Sequence, residues 1–474
     1  MSSIAVTSGP TQLEGAEVGP GAQPSTYGGV LILAKAWAAL GGAQLSQGIH
    51  WQGKAGSLLL FALVVLPVLS VKSVLAIARW CAKEGEPLLR ILGWAEWLTQ
   101  RRLARFVASP RHDWLQLLGQ MVHALAHRPA TGNGEGGIIV IDSTTVEKRY
   151  GPHLPDIRPV YDAVKKKLVD GYEIVSACVA TSSRCYAIGL TPHRKAPTAS
   201  ERQALTRRRR KAAEGEWPSK LDLALRFVSM AKVQGVAART VVADNAFAVM
   251  WWLREIAALE LHWLVATRQD RRLRIGAEIK AIRDWAREAS LTLLETSASC
   301  TVWGALLPEA VLLDRHCSRK GLACRPIYFE RRNGQGKVIH RWYLVTSQMG
   351  WSLSVVWLNW SRRWRIEELH RDCKQLLHLN AFHVRTWEGI VALVACTSLR
   401  ASLLAFMRAV EPALAILSTE ALVADLSVAA CLVEPVAEGQ AAVTQPPTLR
   451  TDVLWQEVQE SLPSEWWPVI LKAA

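Results

Sequence analysis

Ile138-Ile-Val-Ile-Asp142-Ser-Thr-Thr145 is the stretch that decides the fold. β-branched side chains are stiff at χ1 and suit extended backbone, and a run this short reads as a buried strand rather than a helix. The acid and hydroxyls that follow mark where the chain leaves the apolar layer, so the strand presents Asp142 at its C-terminal end. A Gly-rich loop, Thr131 to Gly137, separates this composition from everything before it.

Upstream the pattern is helical. Apolar-periodic segments run from Val30 to about Arg111, broken at Gly41-Gly42, Gly53 to Gly56, Pro67 and Gly85-Glu86-Pro87, and a further helix spans Trp114 to Ala126. Leu58 to Leu69 falls short of the ~20 apolar residues a bilayer requires and contains Pro67, so it reads as a buried helix and no membrane partner is expected. Pro87 suits the first turn of a short helix, Gly93 its end, and Thr99 the cap of a second helix. That second helix buries Leu103 and Phe106 and exposes Gln100, Arg101, Arg102 and Arg105. The layout fits a helix-turn-helix placing those arginines on DNA; a helical hairpin with a basic surface has the same pattern.

Downstream, Tyr172 to Thr181 and Cys185 to Thr191 read as strands of a hairpin, and Arg207, Arg208, Arg209 and Arg210, in the run Thr206 to Lys211, form a basic loop available to a DNA backbone. A helix follows from Lys220 to about Val233. Arg239-Thr-Val-Val-Ala-Asp244 then repeats the opening device, an apolar strand ending in an aspartate. Helix Ala246 to Leu259 and strand His262 to Arg268 complete an α/β layer with a mixed sheet. Short strands with an Asn333-Gly turn occupy 269–347 before helix returns.

The next motif is Trp360-Ser-Arg-Arg-Trp-Arg-Ile-Glu-Glu-Leu-His-Arg-Asp-Cys-Lys374. Read as one helix at about 100° per residue, Trp360, Arg363, Glu367, Arg371 and Lys374 share an arc of roughly 80°, and Ile366, Leu369, Cys373 and Leu376 lie on another side. A carboxylate is thus framed by cations, as also occurs on a solvated amphipathic helix.

Asp142, Asp244 and Glu367 each have an ordinary reading as a turn cap, a helix N-cap and a partner of Arg363 or Arg371. Together, on an α/β layer, they form like charges that need a cation. Carboxylates without a His or Cys set favour Mg²⁺ or Mn²⁺, and two such ions support phosphodiester displacement. The chain of 474 residues carries 56 Lys+Arg against 41 Asp+Glu, a formal charge of +15 that suits a polyanion such as double-stranded DNA. Its 9 cysteines include no C-x-x-C pair, which suggests neither a zinc module nor a disulfide framework and fits reduced thiols in the cytoplasm. No signal peptide is visible.

The order Asp, Asp, Glu resembles the RNase H-like catalytic core of DDE transposases from bacterial insertion sequences. Arg363, Glu367 and Lys374 fit the spacing of their Tyr-x2-Arg-x3-Glu-x6-Lys signature, with Trp360 where the family has Tyr. Val140-Ile-Asp142-Ser-Thr and Val242-Ala-Asp244 carry the likeness, which extends over about Ile138 to Met407. It implies metal-dependent cleavage at terminal inverted repeats and transfer of the freed 3′-hydroxyl, with two Mg²⁺ ions (Mn²⁺ substituting) on Asp142, Asp244 and Glu367. It further implies Arg363 and Lys374 on phosphates, Trp360 in place of a phosphate-binding Tyr, and Trp342 stacked on an extruded base as in relatives that excise through a hairpin. A homodimer on paired ends and a cytoplasmic, nucleoid-associated location are expected. A catalytically silent DNA-binding protein is the alternative. The expected organisation is a disordered 1–29, a helical DNA-binding region at 30–130, an RNase H-like core at 131–268 and 348–410, a β-rich insertion at 269–347, and a helical C-terminal region and tail at 411–474.

Overall fold

The computed structural model describes residues 23–25, 28–45, 49–51, 55–82, 98–148, 154–196, 217–313, 321–429, 431–437 and 440–445. The chain divides into two compact units, one of Met1–Leu117, His153–Pro155 and Asp372–Ala474, the other of Leu118–Pro152 and Asp156–Arg371.

The first unit opens with strand β1 (Gln23–Ser25) and helices α1 (Gly29–Ala39), α2 (Ala55–Val65), α3 (Val74–Ala82) and α4 (Gln100–Val107). Leu58 to Leu69 is buried throughout, and its last residues tighten into a 3₁₀ turn that begins beside Pro67. Pro has no N–H to continue the α-helical ladder, which accounts for the change of pitch. Thr99 caps α4 by accepting from Arg102 N–H at 3.2 Å, and α4 buries Leu103 and Phe106 while Arg101, Arg102 and Arg105 face solvent. The helix expected over Pro87 to Gly93 lies outside the described residues.

Helix α5 (Trp114–Ala126) leads into the second unit. There β2 (Ile138–Glu147), β3 (Arg158–Asp162), β4 (Lys167–Ala180) and β5 (Cys185–His193) form an antiparallel set. Helix α6 (Lys220–Val233), strand β6 (Thr240–Ala243), helix α7 (Met250–Ala258) and strand β7 (His262–Ala266) follow, with β6 parallel to both β2 and β7. The order β5-β4-β2-β6-β7 is the RNase H-like mixed sheet expected from the sequence. Phe227 of α6 closes on β5 at Gly189, where any Cβ would meet its ring carbon at 2.3 Å.

The insertion comprises β8 (Arg272–Ile275), β9 (Glu278–Ala281), the short helix α8 (Ile282–Arg287), β10 (Thr292–Thr296), β11 (Cys300–Leu306), β12 (Ala310–Leu312), β13 (Leu322–Asn333) and β14 (Val338–Thr346). It continues the central sheet, because β14 pairs antiparallel with β7. Helices α9 (Leu353–Arg362) and α10 (Trp364–Gln375) come next, and Val356, Trp360 and Ile366 share a core with Val140, Val242, Leu264, Phe329 and Leu344.

From Asp372 the chain belongs to the first unit. There α11 (Trp387–Val410) buries residues on all sides and packs on α1, α2 and α4. Arg400 from α11 donates to the Leu377 carbonyl, to the Leu63 carbonyl at 3.3 Å and to Thr397 Oγ1 at 3.2 Å, closing this helical core. By length and composition α11 is apolar enough to cross a membrane, and most of it is buried within the protein. After α12 (Thr419–Val428), β15 (Cys431–Ala437) and β16 (Gln440–Gln445) pair with each other, and β15 pairs with β1. Residues 411–474 are therefore not helical throughout, and 23–25 within the expected disordered start is a strand. These pairings join segments from opposite ends of the chain, beyond the reach of local pattern.

Candidate active site

The carboxylates are positioned by the parallel pairing of β2 and β6. Ile141 is level with Ala243, so Asp142 and Asp244, each one residue further, sit side by side on adjacent chains about 4.8 Å apart. Asp244 directly follows the end of β6, whereas β2, expected to stop at Asp142, runs on to Glu147 because its pairing with β4 continues past the acid. β2 is buried from Ile138 to Ile141 and half-buried from Asp142 to Thr145, the transition that its composition foretold. Asp142 Oδ1 accepts from Ser143 N–H at 2.7 Å, and Asp244 Oδ1 from Ala246 N–H at 2.9 Å, so Asp244 is also the cap of a 3₁₀ turn.

The third acid arrives on α10. Arg363 sits between the elements, with Nη2 2.6 Å from Glu367 Oε1 and Nη1 3.7 Å from Asp142 Oδ2. Its guanidinium carbon lies 5.1 Å from the Trp360 ring centre. One turn on, buried His370 is hydrogen-bonded to Ser176 Oγ, which donates at 3.1 Å to the Asp142 carbonyl. Since that hydroxyl spends its proton on Asp142, His370 Nε2–H is the donor to Ser176. This strut fixes the helix carrying Glu367 against the strand carrying Asp142.

Burial pushes the Asp142 carboxyl up to about 7, the Asp244 charge adding to it, while the Ser143 N–H and Arg363 work against the rise. Burial raises Asp244 too, against the Ala246 N–H, Arg363 and Lys220. Two acids so placed resist carrying charge together, the condition a divalent cation relieves. The donor set fits a hard ion in chemistry. As the side chains stand, no three His, Cys, Asp or Glu among the described residues are grouped to hold one, and Arg363 takes the cation's place between Asp142 and Glu367.

Trp360 is corrected. Expected on the charged face, it is 6% exposed and packed with Ile366, Phe329 and Leu344. A turn at Arg363 separates α9 from α10, and Arg363 N–H and Ile366 N–H bond to the carbonyls three residues back, Trp360 and Arg363. At about 120° per residue, a 3₁₀ step rotates Trp360 toward the face of Ile366 and away from Glu367. Arg371 is exposed and Lys374 half-buried on α10. Arg207 to Arg210 lie outside the described residues. Trp342 is half-buried on β14, its ring 4.3 Å from His340 and 5.7 Å from Trp357.

One cluster was missed. Glu173 on β4 accepts from Lys220 Nζ at 2.7 Å and Ser143 Oγ at 3.2 Å, and His193 Nδ1 lies 3.6 Å away. Burial would raise Glu173, but His193 and Lys220 outweigh it and hold the carboxyl down at about 2. The group borders Asp244, whose charge feels both Glu173 and Lys220. Its members come from β2, β4, β5 and the start of α6, and no sequence spacing links them.

Residues 57–287 match the family model of the DDE superfamily endonuclease. The match spans Asp142 and Asp244 and ends ahead of the insertion's larger strands and Glu367. The match supports a DDE-type nuclease family, in keeping with the RNase H-like sheet. A search among curated proteins found no match.

Proposed function

We propose that the protein is a DNA transposase that binds the terminal inverted repeats of a bacterial insertion sequence, cuts there and joins the freed 3′-hydroxyl to target DNA. The observation that carries the reading is the convergence of Asp142 and Asp244, side by side on parallel neighbouring strands, with Arg363 and the Glu367 of α10 that it pairs with. Asp142, Asp244 and Glu367 would hold Mg²⁺, or Mn²⁺ in its place, and the ions supply charge neutralisation at the attacking and leaving oxygens. Arg363 trades its carboxylates for a phosphate near the cleaved end, a fork geometry to which guanidinium is suited. Arg371 and Lys374 extend the cationic row, Arg101, Arg102 and Arg105 read the element end from α4, and Arg207 to Arg210 hold backbone.

Trp342 stacks on an extruded base in this reading. Register supports it: Leu344 pairs with Ala266, one residue past the Ala243–Val265 level, so Trp342 lies about 7 Å beyond Asp244 along the strand direction. The protein acts as a homodimer on paired ends, in the cytoplasm at the nucleoid. A strand-transfer assay tests the reading: a precut end with a 3′-hydroxyl joins a plasmid in Mg²⁺, and the same end with a 3′-deoxy terminus does not. Transfer from neither, alongside tight DNA binding, would favour the catalytically silent alternative.

A further inference from the structure

The β13–β14 hairpin carries Arg331, Arg332, Lys337 and Arg341, and no Asp or Glu occurs between residues 331 and 341. The nearest acid, Glu330, is 5% exposed and occupied, accepting from Tyr328 Oη at 2.6 Å and Arg332 Nε at 2.6 Å. The exposed charge of the hairpin is thus of one sign.

Its arginines are held rather than splayed. Arg331 lies over the Trp342 ring at 5.6 Å and Arg332 over the Trp303 ring at 5.2 Å, and Arg341 Nε donates to Tyr328 Oη at 3.2 Å. The turn is fixed as well, because Asn333 Oδ1 accepts from Gln335 N–H at 3.1 Å and Lys337 N–H at 2.9 Å, and Gly336 has φ +76°. A pre-ordered guanidinium loses little entropy on meeting a ligand. The guanidinium N–H edges held in this way match phosphate oxygens.

Position supplies the partner. β14 runs antiparallel to β7, so the residues before Leu344 extend past the level of Asp142 and Asp244 along the sheet. At roughly 3.4 Å per residue, Arg341 stands about 10 Å and Lys337 about 24 Å beyond the level of Asp244.

We infer that this hairpin is a DNA-backbone finger, gripping phosphates of duplex DNA that leads into the carboxylate site. The inference rests on the reading of the chain as acting on DNA, and adds a contact surface that neither the helical region nor α10 provides. The finger binds without regard to sequence, since phosphates carry no base information.

The test measures DNA affinity of the full chain against salt, on end-containing and scrambled duplexes, for wild type, Lys337→Gln/Arg341→Gln and Lys337→Arg/Arg341→Lys. Both positions are exposed, and an unchanged melting temperature confirms folding of the variants. Losing two phosphate contacts lowers the slope of log K against log salt by about 1.8, so wild type loses about 12-fold more affinity than the Gln pair over a fourfold rise in salt. The finger predicts this drop on both duplexes, with the charge-keeping pair retaining the wild-type slope. An unchanged slope in the Gln pair overturns the finger alone, and a wild type with no affinity for either duplex overturns the DNA reading with it.

Discussion

Replacing Asp142 with Asn should make the metal-free protein more stable, and only at the upper end of its pH range. The carboxyl is pushed up to about 7 from an ordinary 3.8 by burial and by Asp244. The folded state therefore holds a proton here that the unfolded chain releases between those values. Stability from this group is full below pH 3.8 and is lost as pH rises through 7. At about 1.36 kcal/mol per pKa unit, the loss approaches about 4 kcal/mol above pH 7, an upper bound given the side chain's residual 16% exposure and the flexibility of real proteins. Asn has no charge to desolvate, so Asp142→Asn removes that penalty. For a unit of this size about 1 kcal/mol moves the melting temperature by roughly 2–4 °C, so the variant should melt up to about 8–16 °C higher at about pH 8 and close to wild type at about pH 4.5. Thermal melts in EDTA at the two pH values, with a fixed buffer ionic strength, measure this. A variant no more stable at the higher pH, or a gain equal at both pH values, would refute the electrostatic account. Added Mg²⁺ should raise the wild-type melting temperature at the higher pH and have a smaller effect on the Asp142→Asn variant, since ligand stabilisation needs the site.

The opposite sign is expected at Glu173, held down at about 2 from 4.5. Its contribution, on the order of 3 kcal/mol, is present above pH 4.5 and lost as pH falls toward 2; Glu173→Gln should lower stability near neutral pH in urea melts, with the gap closing in acid. Trp360→Tyr restores the residue of the resembled signature, yet at a buried position it leaves a void and a hydroxyl to satisfy, and should cost roughly 1–3 kcal/mol without tightening DNA binding. Tighter binding in a gel-shift titration would return Trp360 to the DNA face. Gly189→Ala should destabilise by about 1–3 kcal/mol, because its Cβ would meet Phe227 Cε1 at 2.3 Å, a side chain that is 2% exposed; calorimetry of the purified variant checks it.

The two aspartates were legible because each follows a buried β-branched run, and that signal is local; that β2 would run on past Asp142 to Glu147 was not, since its pairing with β4 is set by register. Glu367 and Arg363 were legible through their i,i+4 spacing, which keeps the pair together although Arg363 lies in the turn before α10. Trp360 was not, since an unbroken α-helix would set it beside Glu367, and the turn at Arg363 shifts the phase by the few tens of degrees that separate core from solvent. The Glu173, His193, Lys220 cluster and the Ser176–His370 strut were invisible for a different reason. Each joins residues far apart in sequence, through strand register that no single segment encodes. The C-terminal strands fall in the same class, their pairing with Gln23–Ser25 being set by tertiary contact. The basic hairpin lay in plain view as two strands and an Asn333 turn, but its reach past Asp244 follows only from the β7–β14 register.

The most direct test of the central claim is the nicking rate on duplex DNA bearing the element's ends, titrated with Mg²⁺, for wild type, Asp142→Asn, Asp244→Asn and Glu367→Gln. The account predicts cleavage by wild type that vanishes in EDTA, and loss of cleavage by at least about a hundredfold in each variant with DNA affinity kept. Cleavage that survives all three substitutions, or a wild type that binds these ends and never cuts them in Mg²⁺ or Mn²⁺, would contradict it.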